Sequence, residues 1–167
     1  HRSDRCRLQE CGADGKPPPP LVSAPLNSSA AAGGATGVLW SRGGNNKPRV
    51  SVLLRVGRAT SSAALRRAFA SLAAQDGAAH ASVLVVGDEP LCAATPRAAA
   101  LRAFLLGASP AAVRYAELSR APPPAFAPRT LALWRAHGAA APLRLVADAA
   151  SPLPPHALRT RLRAARL

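Results

Sequence analysis

The sequence predicts an α/β fold: a three-layer sandwich around a mostly parallel sheet, preceded by an extended or disordered Pro/Gly-rich N-terminal stem. Three observations carry this. Short Val- and Leu-rich runs alternate with segments whose apolar residues recur at helical spacing. Ser, Thr and Pro open the helical segments and Gly closes them. The composition changes at Pro48, which separates a stem (1–47) from a folded unit (48–167).

The stem holds Pro17 to Pro20, Asn27-Ser28-Ser29, Gly33-Gly34 and a Gly-Asn stretch from Gly43 to Asn46. Such a composition lacks the apolar residues needed to bury a core. Val38, Leu39 and Trp40 are its one apolar cluster and are candidates to dock back on the domain.

From Val50 to Val56 the chain reads as a first strand. Ser61 or Ser62 then caps a helix with Leu65, Phe69 and Leu72 on one face, and Asp76-Gly77 ends it. Ser82 to Val86 is a second strand, apolar on both faces. Thr95-Pro96 starts a helix with Leu101, Phe104 and Leu105 inward, closed by Gly107. Ala112 to Ala116 is a third strand, and the proline run around Pro123 is a loop. Residues 128–137 form a short helix with Leu131 and Trp134 inward, stopped by Gly138. Leu143 to Ala147 is a fourth strand, and Pro155 to Arg166 a last helix with Leu158, Leu162 and Ala165 on one side. Strands joined by helical crossovers run parallel, and ligands of such sheets bind beyond the carboxyl strand ends. The tips at 55–60, 87–90, 117–120 and 148–151 are therefore the places where a site belongs.

The net charge of +14 invites a polyanion partner. The arginines are spread along the chain, however, and one Tyr and three Phe offer little surface for base stacking. No apolar run approaches the roughly 18 residues of a membrane span. The chain begins at His1 without Met or a signal-peptide core, so the expectation is a trimmed piece with any targeting signal upstream. Cys6 and Cys11 are close enough for a small loop disulfide with Cys92 left over, or all three are free thiols. In the first case, together with the sequon at Asn27, they suit an oxidising secretory lumen. Cys92 itself reads as a small buried side chain. His80, His137 and His156 stand singly without metal-ligand spacing and read as surface histidines.

Five blocks in order resemble the first half of the catalytic domain of inverting glycosyltransferases of family 2, over residues 48–167. Pro48–Val56 (PRVSVLLRV) resembles the opening P-x-V-S-V-I-I-P-V of that family. Leu65–Gln75 (LRRAFASLAAQ) is similar to L-x-x-x-L-x-S-L-x-x-Q, and Val83–Pro90 (VLVVGDEP) to V-I-V-V-D-D-G-S. Ala127 to Arg129 with Leu131 and Leu133 resembles A-A-R-N-x-G-L. Leu145–Leu158 (LVADAASPLPPHAL) aligns without a gap to L-F-L-D-A-D-x-x-x-P-P-D-A-L.

The resemblance implies a GT-A type, Rossmann-like half domain that binds a nucleotide-diphosphate sugar. Asp148 would be the first acid of the Asp-x-Asp pair, on ribose and a divalent cation, Mn or Mg. Asp88 would face the base or ribose. Arg129 would lie near the nucleotide, and Arg55 stands where the family has proline. Two positions depart from the pattern: Gly87 replaces the first acid of the second-strand motif, and Ala150 the second acid of Asp-x-Asp. One carboxylate, with phosphates and water, holds a cation more weakly than two. In the family the general base comes from the later half, and residues 48–167 offer no candidate for it.

The expectation is a nucleotide-sugar half of a larger glycosyltransferase, or a catalytically impaired partner of one, in the Golgi or endoplasmic-reticulum lumen. Apolar surface on the last helix and fourth strand should then meet the missing half or another chain. The alternative is a basic, Arg-rich subunit of a large ribonucleoprotein or respiratory assembly that reuses an α/β scaffold. The placement of the arginines separates the two.

Overall fold

The computed structural model describes residues 21–26, 37–43, 47–107, 112–118, 128–138 and 140–166. In chain order the elements are β1 (Val22–Pro25), β2 (Gly37–Arg42), β3 (Val50–Arg55), α1 (Ser62–Ala73), a 3₁₀ turn (Ala78–His80), β4 (Ala81–Gly87) and α2 (Pro96–Leu106). They continue as β5 (Ala112–Leu118), α3 (Pro128–His137), β6 (Leu143–Asp148) and α4 (Ala157–Ala164). The result is an α/β fold with a six-stranded mixed, mostly parallel sheet and four α-helices among the described residues, consistent with a Rossmann-like arrangement.

The strand order is β1-β2-β5-β4-β3-β6. β5, β4, β3 and β6 run parallel, and β2 and β1 add on antiparallel at the β5 edge. The steps β3 to β4 and β4 to β5 move in one direction, so α1 and α2 lie on one face. The return from β5 to β6, on the other side of β3, puts α3 on the opposite face. The packing agrees. Leu65, Phe69 and Leu72 of α1, Leu101 and Leu105 of α2 and Leu158 and Leu162 of α4 share one cluster with Val52, Leu54, Val83 and Val85. Leu133 and Trp134 of α3 meet Leu53, Leu84, Val86 and Leu118 on the other side. The alternating destinations of Val52, Leu53 and Leu54 are the period-two signature of a strand buried on both faces.

Local chemistry starts and stops these elements where the sequence indicates. The Ser61 hydroxyl accepts from the Ala64 N–H at 3.1 Å, and Thr95 does the same for Ala98 at 3.1 Å. Phe69 and Phe104 stack at 4.1 Å between ring centroids and join α1 to α2. Trp134 donates its indole N–H to the Ser51 hydroxyl at 2.7 Å, which pins α3 to the sheet. The last helix is shorter than expected, and Ala165 is exposed beyond its end rather than on the buried side. Only Leu158 and Leu162 anchor it, so the apolar stripe ends where the helix does.

The larger correction concerns the stem. Residues 21–26 and 37–43 belong to the sheet, and β2 pairs with β5 over its whole length, from Gly37 opposite Leu118 to Arg42 opposite Val113. Trp40 is buried, and Leu21 and Leu26, flanking the exposed β1, reach the cores on the two faces. The composition of 1–47 concealed this because an edge strand needs a backbone ladder and one or two anchoring side chains, not a continuous apolar run. At Gly37 a Cβ would come within 1.9 Å of the Glu117 carbonyl oxygen, so glycine is what lets β2 approach β5 there.

Truncating Trp40→Ala removes a buried indole and its bond to Glu117. We expect a loss of about 3 kcal/mol or more in urea unfolding. A change under about 0.5 kcal/mol, the scale of ordinary surface substitutions, would mean that β2 is a dispensable tail.

Candidate functional site at the carboxyl edge of the sheet

In an open α/β sheet ligands bind beyond the carboxyl strand ends, at the point where the strand order reverses. Here that point lies between β3 and β6. Arg55 ends β3 and Asp148 ends β6, and they are register partners. Arg55 Nη2 lies 2.9 Å from Asp148 Oδ2. The second carboxylate oxygen, Oδ1, accepts the Ala150 N–H at 2.9 Å in a tight turn after the strand. Asp148 is therefore held well below the usual carboxylate range, first by the Ala150 N–H and then by the Arg55 guanidinium, while partial burial opposes both. The pair is partly exposed, with side chains 21 and 33 % accessible, so solvent screens its contribution to stability.

The neighbouring tips are built in the same way. Asp88, just after β4, accepts from Arg58 Nε at 2.7 Å. Glu89 accepts the Thr95 hydroxyl at 2.5 Å on Oε1, and its Oε2 lies 3.9 Å from Arg97 Nη1. Arg97 also donates to the carbonyls of Gly57 and Arg58, both at 3.0 Å, and ties the β3–α1 loop to the first turn of α2. Buried Arg102 donates to the Leu91 and Ala93 carbonyls at 2.7 and 3.0 Å. Glu117 on β5 receives the Trp40 indole N–H at 2.8 Å and the Leu91 N–H at 3.3 Å. Each carboxylate of this edge thus carries an internal donor.

Gly87 has a structural counterpart for its missing side chain. A Cβ there would lie 3.1 Å from the Tyr115 hydroxyl and 3.4 Å from Val56 Cβ. The fully buried Tyr115 ring fills that space from β5 and donates its hydroxyl to the Glu89 carbonyl at 2.8 Å. Burial, then the nearby Glu117, Asp88 and Glu89 carboxylates, push the phenol far above its ordinary range, so it stays a neutral donor. Gly87 and Tyr115 form a matched pair.

Of the residues expected from the sequence, Arg55 and Asp148 meet, and Asp88 follows the end of β4, two strands from β6, beside Arg58. Arg129 is in the first turn of α3, with its side chain outside the described residues. Cys6, Cys11 and Asn27 also lie outside them. Cys92 is disulfide-bonded, which corrects the reading of it as a leftover small side chain. His156 bonds Asp76 at 2.7 Å, and His80 is exposed. Arg58, Arg97, Tyr115 and Glu117 went unrecognised as site residues. Arg58 and Glu117 do fall at strand tips, but their partners come from other elements, which no local pattern encodes.

Among the described residues no group of three or more His, Cys, Asp or Glu side chains could hold a metal. The Asp148 carboxylate already holds a donor on each oxygen, so the residues at this corner do not fit a divalent cation. A cavity of about 110 Å³ lies elsewhere, at the end of α3 and beside the start of β6, lined by Trp134, Arg135, Gly138, Ala140 and Arg144. No helix among the described residues is long and apolar enough to cross a membrane. No family model, curated protein or solved structure matches the chain.

Three outcomes follow from this geometry. Gly87→Asp forces a side chain against buried Tyr115, and we expect a loss of about 1–3 kcal/mol in denaturant unfolding. A lowered pKa contributes stability above the unfolded carboxylate range and loses it as pH falls through the folded value. The melting-temperature gap between the wild-type chain and Asp148→Asn should therefore shrink between about pH 6 and about pH 3. Finally, Cys92 should resist alkylation in the denatured chain until a reductant is added, as read by peptide mass spectrometry.

Proposed function

We propose that this chain is a GT-A-like nucleotide-diphosphate-sugar-binding half domain, either part of a larger glycosyltransferase or a catalytically impaired partner of one. The observation that carries this reading is the meeting of Arg55 and Asp148 at the reversal of strand order, where an α/β sheet binds its ligand. A second observation supports the five-block resemblance. Ser71 and Gln75, the polar positions of the helix block, bond to the Leu153 and Pro154 carbonyls at 2.6 and 2.7 Å, inside the block that follows Asp148. Gln75 also accepts the Leu158 N–H at 3.1 Å, at the start of α4. Blocks that resemble one family separately in sequence thus bond to one another.

The chemistry favours binding over catalysis in this half. A general base needs a carboxylate free to take a proton at working pH. Asp148 is held ionised at a lowered pKa, and Asp88, Glu89 and Glu117 are each engaged by a donor. β6 is an edge strand with Val146 38 % exposed, a surface suited to the acceptor half or to another chain. The Cys92 disulfide supports an oxidising lumen such as the Golgi or endoplasmic reticulum.

One observation favours the polyanion reading. Arg66 and Arg67 on α1, and Arg159, Arg161, Arg163 and Arg166 on and just after α4, are exposed on one helical layer. Asp76 offsets Arg159 at 3.2 Å.

Calorimetric titration of the full chain with uridine diphosphate at fixed salt separates the two. We expect saturable binding that Arg55→Gln weakens about tenfold, the scale of one charge-assisted contact. Arg161→Gln with Arg163→Gln should leave it unchanged. Binding lost in the α4 variant instead would assign the ligand to the basic helical surface.

A further inference from the structure

We propose that the carboxyl edge of the sheet, around Arg55, Arg58 and Asp148, binds its diphosphate ligand without a divalent cation, with the Arg55 and Arg58 guanidiniums supplying the positive charge. This rests on the nucleotide-sugar reading of the same edge.

The argument begins at Asp148. A hard cation needs open carboxylate oxygens and usually more than one protein carboxylate or a set of carbonyls. Arg55 Nη2 lies 2.9 Å from Oδ2, and the Ala150 N–H is 2.9 Å from Oδ1. Ala150, whose side chain would have carried the second acid, contributes that backbone donor instead. A cation entering here would displace both bonds and stand against a fixed guanidinium of like sign. The positive charge at this corner is built into the chain, on the residue that ends β3.

Arg58 extends the same feature. It sits three residues after Arg55, and Arg97 clamps its backbone carbonyl and that of Gly57 at 3.0 Å. Its side chain is 61 % exposed and meets Asp88 through Nε alone. An exposed ion pair of this kind is worth little, so a phosphate can compete for the guanidinium at small cost. Arg planar forks match phosphate oxygens, and diphosphate carries more charge than the carboxylate it would displace. Three guanidiniums, on Arg55, Arg58 and Arg97, stand against Asp88, Glu89 and Asp148 at this edge. This edge is therefore near neutrality, and rearranged arginine pairs can receive an anion without a metal counter-ion.

The test has two arms on the full chain. In the first, Mn²⁺ alone is titrated and followed by the loss of its free electron-paramagnetic-resonance signal. We expect no saturable uptake up to millimolar metal; uptake that Asp148→Asn removes overturns the inference, whatever the nucleotide does. In the second, uridine diphosphate is titrated in excess chelator and again with Mn²⁺. We expect dissociation constants within about twofold of each other, weakened about tenfold by Arg58→Gln, a substitution at an exposed side chain that spares the core. Arg55→Gln should weaken binding similarly, provided its circular dichroism matches wild type. Binding that needs Mn²⁺ overturns the inference and leaves the proposed function standing. No binding in either condition, from a folded chain, overturns the proposed function and the role of the arginines together.

Discussion

The double parallel pairing of β3 is the constraint on which the rest of this molecule depends. β3 hydrogen-bonds to β4 on one side and β6 on the other, and its residues from Val50 to Leu54 are buried. A strand held on both edges cannot slip by one residue without turning Val52 and Leu54 from one core to the other. The register of β6 follows, and with it the alignment of Arg55 with Asp148. The site at the carboxyl edge thus inherits its precision from apolar burial several residues away. The layering is set in the same place: because β6 returns past β3 rather than continuing beyond β5, α3 covers the face that α1 and α2 leave open.

Arginine does two kinds of work in this chain. At the carboxyl edge it braces loops: Arg97 holds the turn after β3, Arg102 the loop after β4, and Arg55 and Arg58 the acids at the strand tips. A planar guanidinium with several fixed donors can reach two carbonyls at once, which Arg97 and Arg102 each do. The exposed arginines of α1 and α4 carry the excess positive charge instead. Among the described residues the arginines thus fall into two populations, one consumed within the fold and one displayed on it. Counting alone treats them as equal, and this is why charge by itself is a weak guide to the partner.

The sequence made most of the parallel unit legible. Val-rich runs marked β3 and β4, and Ser61, Thr95 and Gly107 marked helix ends through bonds made to near neighbours. Those signals are local, so they survive in a one-dimensional reading. Arg55 and Asp148 were legible as strand-end residues for the same reason, though not as partners. What stayed hidden was long-range. Tyr115 fills the space beside Gly87 across the β4–β5 pairing, and Glu117 gathers donors from Trp40 and Leu91. A tyrosine in a strand looks the same whether it packs against helices or fills the space beside a glycine on the next strand.

The edge strands show where the boundary lies. Composition alone assigned residues 1–47, with 22–25 and 37–42 among them, to a stem, because isolated apolar residues among Pro, Gly and Ser cannot bury a core of their own. They do not need one. β2 borrows an existing ladder from β5, and Trp40 borrows an existing core. Within residues 48–167 the sequence by itself determined which segments become helix or strand, since periodicity and caps act within a few residues. The tertiary structure alone decided that β6 returns beside β3, that Arg55 takes up the carboxylate of Asp148, and that β2 and β1 extend the sheet beyond β5. Each of those joins residues tens of positions apart, and only the packed fold brings them within bonding distance.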